Sequence, residues 1–313
     1  MGKVHTVGGE IEPDQLGVTY CHEHLATMPG KHLLEKMGGD DLILEDMAKS
    51  AEELEIFKYA GGQAVVDCTT TEYGRQADKL AGLQRDTGVN IICSTGHIME
   101  GYWRGIEDIE GRSPESLLDE MLTDLTESIP DSHGVRAGVI KLGTTKDKVL
   151  PEEDKMIRAG VEAQKRTGAP IQTHTSAGTI PLEQVRIFDE AGADPEHTMI
   201  GHLDRRLDWD DHLAVARAGY RLGFDCISKE HYQPEAQRIE FIRRLVEEGH
   251  EDQIMLSGDI ARRSYMTAYG GGPGYSYILW RFIPWLHQVG VPESATRKMV
   301  VDNPAAFYTW KDV

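Results

Sequence analysis

Eight short apolar runs, each followed by a longer stretch of helical periodicity, constrain this chain more than any other feature of its sequence. The runs fall at 16–20, 64–68, 90–94, 137–142, 170–173, 198–201, 221–227 and 253–257. They are nearly continuous in apolar character rather than alternating, which suits parallel strands covered on both faces. Between them apolar residues return at three- and four-residue steps, as in Leu44, Met47, Ala51, Leu54 and Phe57, or Ile239, Ile242, Leu245 and Val246. That is the spacing of one helix face. Glycine closes several of these segments, at Gly61-Gly62, Gly88, Gly168, Gly192, Gly219 and Gly249, where a helix end calls for left-handed backbone. Eight strand–helix units in 313 residues predict a (β/α)8 TIM barrel, class α/β, as a single domain over 1–313. A doubly wound sheet is the competing architecture. It lacks support because no G-x-G-x-x-G turn follows the first strand, and eight units suit closure.

Composition narrows the function classes. Hydrophobic content of 40 % and charged content of 27 % describe a soluble globular chain. No apolar run approaches the ~18–20 residues of a membrane span, and Met1 to His5 carry no secretory apolar core. Cys21, Cys68, Cys93 and Cys226 form no C-x-x-C pair and sit in or beside apolar runs, so buried free thiols in a cytoplasmic setting are expected. A formal charge of −19 argues against nucleic acid, whose phosphates need a basic face. A small anionic substrate in a local basic pocket remains compatible with it. No membrane partner is expected, and a homodimer stays open. Tyr269 to Gly274 reads as a mobile loop over one end of the barrel. Glu293 to Tyr308 reads as a closing helix interrupted near Asn303-Pro304.

In such a barrel, chemistry sits where strands end. Reading off those ends gives His22, His24, Asp67, His97, Lys141, His174, His202, Asp225 and Asp259. His22 and His24, two apart in a strand, share a face, with Glu23 opposite. Chance alone supplies about half of one such His-x-His pair in a chain of this composition, so the pair gains weight only from the later strand ends. Barrel interiors otherwise carry branched apolar residues, and a ring of histidines is hard to explain as packing. Two imidazoles begin a chelate for a divalent metal. Asp259 is a helix N-cap taken alone, but beside four histidines it suits a carboxylate ligand and general base. Lys141 has two outcomes near a dication: it points away and binds an anion, or it sheds its proton and adds carbon dioxide to become an anionic carbamate.

These residues resemble the phosphotriesterase family of the amidohydrolase superfamily. His22-x-His24, Val139-Ile140-Lys141, Thr173-His174-Thr175, Gly201-His202 and Gly258-Asp259 match its metal motifs in order, across nearly the whole chain. The resemblance implies two divalent ions, Zn first and Mn or Co as alternatives. His22, His24, Lys141 and Asp259 would hold one. Lys141, as a carbamate, would bridge to a second held by His174 and His202. It also implies a bridging hydroxide as nucleophile, with Asp259 as the catalytic base.

The substrate reading comes from the loops after strands seven and eight, Ser228 to Tyr232 and Ile260 to Tyr265. Lys229, Arg262, Arg263 and Tyr265 there suit a phosphate monoester. Lys229 with Arg262 and Tyr265 also resembles the branch of the family that opens phosphorylated sugar lactones. The reading is hydrolysis of an aldono-lactone phosphate, the phosphate being held away from the metals. The alternatives are a phosphotriesterase, a lactonase for unphosphorylated lactones, and a non-catalytic metal-stabilised binding protein.

Overall fold

The structure is a computed structural model that describes residues 2–106 and 108–313. Eight parallel strands run in sequence order: β1 (Thr19–Glu23), β2 (Ala64–Asp67), β3 (Asn90–Thr95), β4 (Val139–Thr144), β5 (Ile171–Thr175), β6 (Thr198–Ile200), β7 (Arg221–Phe224) and β8 (Ile254–Leu256). Helices α1 (Met47–Tyr59), α2 (Ala77–Thr87), α3 (Pro114–Thr126), α4 (Pro151–Thr167), α5 (Pro181–Ala191), α6 (Trp209–Arg217) and α7 (Glu235–Glu247) follow the first seven strands. Gly88, Gly168 and Gly192 cap their helices in left-handed backbone, as their positions predict. The chain is a (β/α)8 barrel.

Alternation along the strands builds two cores. Tyr20, Val65, Ile91, Ile140, Leu222 and Leu256 face outward into the strand–helix layer. Cys21, Val66, Ile92, Val139, Met199 and Met255 face inward, under a cap formed by Val4, Phe307 and Tyr308. The four cysteines are buried and free. No helix among the described residues is long and apolar enough to cross a membrane.

The strand ladder stops between β8 and β1, and side chains bridge that seam. The His22 amide donates to Ser257 Oγ at 2.9 Å, and Ser257 Oγ donates to the Glu23 carboxylate at 2.7 Å. The Gly258 and Ile260 amides donate to the same carboxylate at 2.8 and 2.7 Å. Glu23 thus holds both neighbours of Asp259, whose backbone takes a φ of 47°. Such a left-handed turn at a non-glycine residue persists only where its surroundings fix it.

Two expectations about irregular segments change. Residues 269–274 are tied down and do not line the cavity at the C-terminal strand ends. They fold back on Ser264 to Met266 through backbone bonds, and Glu53 of α1 accepts from the Ala268 and Tyr275 amides on either side. The closing segment runs on without a break: Glu293–Arg297 is α-helical, Lys298–Asp302 forms a π turn, and Asn303–Tyr308 is α-helical again. The wide turn absorbs the missing amide and ring of Pro304.

Candidate active site

The C-terminal strand ends open into a cavity of roughly 220 Å³. A bulge in β1 between Tyr20 and Glu23 turns His22 inward beside Cys21, which is how one extra residue re-aims a side chain. His24 then faces the same way and Glu23 the seam. Lys141 faces inward from β4, two residues beyond Val139. His202 takes a φ of 58°, another left-handed turn outside glycine. Gly201 permits it: a Cβ there would meet the Thr173 carbonyl at 2.2 Å.

His22, His24, Lys141, His174, His202 and Asp259 all line this cavity. His24 Nε2 lies 3.3 Å and His22 Nε2 3.9 Å from Asp259 Oδ1. The His22 and His202 rings stack at 4.8 Å, and His174 stands edge-on to His202 at 4.5 Å. Lys141 Nζ lies 3.3 Å from His22 Nε2 and donates to the Thr173 carbonyl at 3.2 Å.

The donor chemistry fits divalent ions. Asp225 takes His22 Nδ1 at 2.8 Å and His202 Nδ1 at 2.9 Å, while Thr69 Oγ1 pairs with His24 Nδ1 at 2.8 Å. Each of these imidazoles keeps Nε2 for a metal, the arrangement that fixes ligating histidines. Burial, with Lys141 alongside, pushes His22 down to about 3, and burial lowers His174 and His202 as well. Neutral rings are what a metal needs. Cys226 lies close to His202 and Asp259. Burial pushes its thiol up.

Of the residues expected to hold substrate, Lys229, Arg262 and Tyr265 line the cavity. Arg262 donates to the Met37 carbonyl at 2.8 Å and lies 3.7 Å from Asp41. Lys229 reaches Asp259 itself, 2.5 Å from Oδ2, rather than a wall remote from the ligands. Arg263 turns away: it donates to the Ile43 carbonyl at 2.6 Å, lies 3.5 Å from Glu45, and does not line the cavity. Two other polar strand ends are structural. Asp67 accepts from the Leu25 and Thr69 amides, and His97 sits between Glu72 and Glu120. Tyr232, which the loop after the seventh strand brings to this end of the barrel, lines the cavity as expected, and Tyr73, Tyr102 and Arg205, which the sequence did not single out, face it too.

A barrel with inward imidazoles, a lysine and a carboxylate at its strand ends has the layout of a metal-dependent hydrolase. The phosphotriesterase family model matches residues 2–308, and the chain belongs to that family. It is 33 % identical to the phosphotriesterase homology protein of Escherichia coli strain K12, over 94 % of this chain and 99 % of that protein. It is 31 % identical to the N-acetyltaurine hydrolase of Danio rerio, over 99 % of each. The crystal structure of a lactonase from Listeria monocytogenes superposes with a TM-score of 0.94 at 36 % identity, covering 99 % of this chain and all of that one. The chain is thus a hydrolase of ester or amide bonds in a metal-dependent family.

Proposed function

We propose that this protein opens a phosphorylated sugar lactone. The observation that carries the reading is a single cavity holding the six candidate ligands together with Lys229, Arg262 and Tyr265. In support, the Escherichia coli phosphotriesterase homology protein, 33 % identical, has been solved with phosphate in its active site. His22, His24 and Asp259 would hold one divalent ion and His174 and His202 a second, with Lys141 between them. Bound there, such ions supply an activated water at neutral pH and a Lewis acid for the carbonyl. Zn is the first candidate, with Mn and Co as alternatives. Lys141 is proposed as a carbamate, its nitrogen bonding the carbon of carbon dioxide and releasing a proton. Asp259 takes the proton from the attacking water and passes it to the leaving alkoxide. Arg262 and Lys229 form the cationic wall toward which the phosphate is drawn, with the Tyr265 hydroxyl beside them as a further donor.

A second reading shares this chemistry. The N-acetyltaurine hydrolases named among the relatives suggest an amide that carries a sulfonate. Lactone phosphate and acyl taurine both present a carbonyl and a tetrahedral anionic head. Turnover of phosphorylated and unphosphorylated sugar lactones, N-acetyltaurine and an aryl phosphotriester by the metal-loaded enzyme tests the proposal. A phosphorylated lactone should lead. Dominance of the triester or the plain lactone would refute the reading, and dominance of N-acetyltaurine would replace it with the second.

A further inference from the structure

Arg205 differs from the other arginine of the cavity. It closes the short turn Leu203–Arg205 after β6, three residues beyond His202. Its guanidinium carbon lies 4.2 Å from the centre of the Tyr232 ring. Its Nε is buried and meets no acceptor, and among the described residues its side chain enters no ion pair. Its exposed neighbour Arg206, by contrast, pairs with Asp208 at 3.2 Å. In a chain with 52 acidic residues against 33 basic ones, an arginine that feels Asp259 only from beyond salt-bridge distance needs a reason.

Buried donors almost always have partners, because an unmet one forfeits its hydration. Stacking on Tyr232 holds the guanidinium plane but gives its N–H edge no acceptor. An anion bound in the cavity would supply that acceptor. A planar fork of N–H groups suits two oxygens of one tetrahedral anion. Arg262 is engaged by Met37 and Asp41, and Lys229 by Asp259. They set the positive field of the wall, while Arg205 is free to close on the ligand.

We propose that Arg205 is the residue that selects for a tetrahedral anionic head group, phosphate or sulfonate, on the substrate. This rests on the reading of the cavity as a site for an anionic carbonyl compound. The test uses metal-loaded enzyme and two substrate pairs: a phosphorylated lactone with its parent lactone, and N-acetyltaurine with N-acetylethylamine. The quantity read is the ratio of kcat/KM for the charged member to that for the uncharged one. Arg205→Met should lower it about 10- to 150-fold, the loss of a charge-assisted contact. Arg205→Lys should recover only part of the ratio, because it restores charge without the fork. The pair whose ratio falls identifies the head group. A wild type that prefers a charged substrate, with Arg205→Met keeping that preference, overturns this inference and leaves the proposed function standing. A wild type with no preference in either pair overturns both. A second measurement needs no variant: in crystals of the wild-type enzyme soaked with inorganic phosphate, the anion should bond Arg205. Phosphate seated on Arg262 and Lys229 with Arg205 bare would contradict it.

Discussion

Lys229 Nζ lies 2.5 Å from Asp259 Oδ2 and also donates to the Asp259 carbonyl, so the buried lysine after β7 and the half-buried aspartate after β8 form one unit. Burial pushes the Asp259 carboxyl up, but the Lys229 ammonium and the nearby imidazoles hold it well below the usual carboxylate range. Lys229→Met should therefore lower kcat/KM for the uncharged lactone as well as for the charged one, about 10-fold or more. Arg262→Met should instead act mainly on the charged-to-uncharged ratio. Steady-state kinetics on one lactone pair separates the two. A Lys229→Met enzyme with normal turnover of the uncharged lactone would show that the ion pair plays no part in the chemistry.

Asp225 is buried behind two candidate ligands and accepts from both. Asp225→Asn should weaken metal affinity about 10- to 100-fold by loosening the His22 and His202 rings. Competition with a chelator of known affinity, read as metal retained per chain, measures this. Unchanged retention would mean that the imidazoles are fixed by packing alone.

Lys141 is 1 % exposed and stands 3.3 Å from His22 Nε2. Lys141→Ala should lose metal and activity, and added short carboxylic acids should restore part of both by standing in for the carbamate oxygens. A high-resolution map showing a bare amine at Lys141 in the fully metallated enzyme would contradict the carbamate.

His97 lies between Glu72 and Glu120, 3.2 and 3.3 Å away. Burial disfavours its charged ring, yet the two carboxylates raise it to about 10. A group raised on folding adds stability that is complete below its unfolded value and lost as pH rises through its folded value. The window here runs from about 6.5 to about 10. The Tm of the wild type should fall across it, and His97→Gln should fall less steeply. Parallel Tm–pH curves for the two proteins would show that His97 is not the source.

The strand–helix alternation was legible because every strand is buried on both faces, which leaves an apolar run in the sequence. The six candidate ligands were legible for the converse reason: each is a polar residue where such a run ends. The rest depends on direction rather than position. His97 and Asp67 also end strands, but they point away from the cavity, and the composition of a strand end does not reveal that. Arg262 and Arg263 are adjacent, so spacing alone cannot say which one faces inward. Arg205 escaped notice because it lies beyond the strand end, in the short turn that follows the left-handed His202, and of that turn's three residues only Arg205 lines the cavity. That turn leaves its trace only in Gly201. The part played by Asp225 was hidden because its partners, His22 and His202, are 203 and 23 residues away.

His22, His24, Lys141, His174, His202 and Asp259 are proposed to form one hydrolytic metal centre. The most direct test is elemental analysis of the active enzyme, paired with its turnover and repeated on Asp259→Asn. Roughly two divalent ions per chain are expected, with turnover rising as they are restored to chelated protein and kcat in Asp259→Asn falling by orders of magnitude. Full turnover by protein stripped of metal, or near-normal turnover in Asp259→Asn, would contradict it.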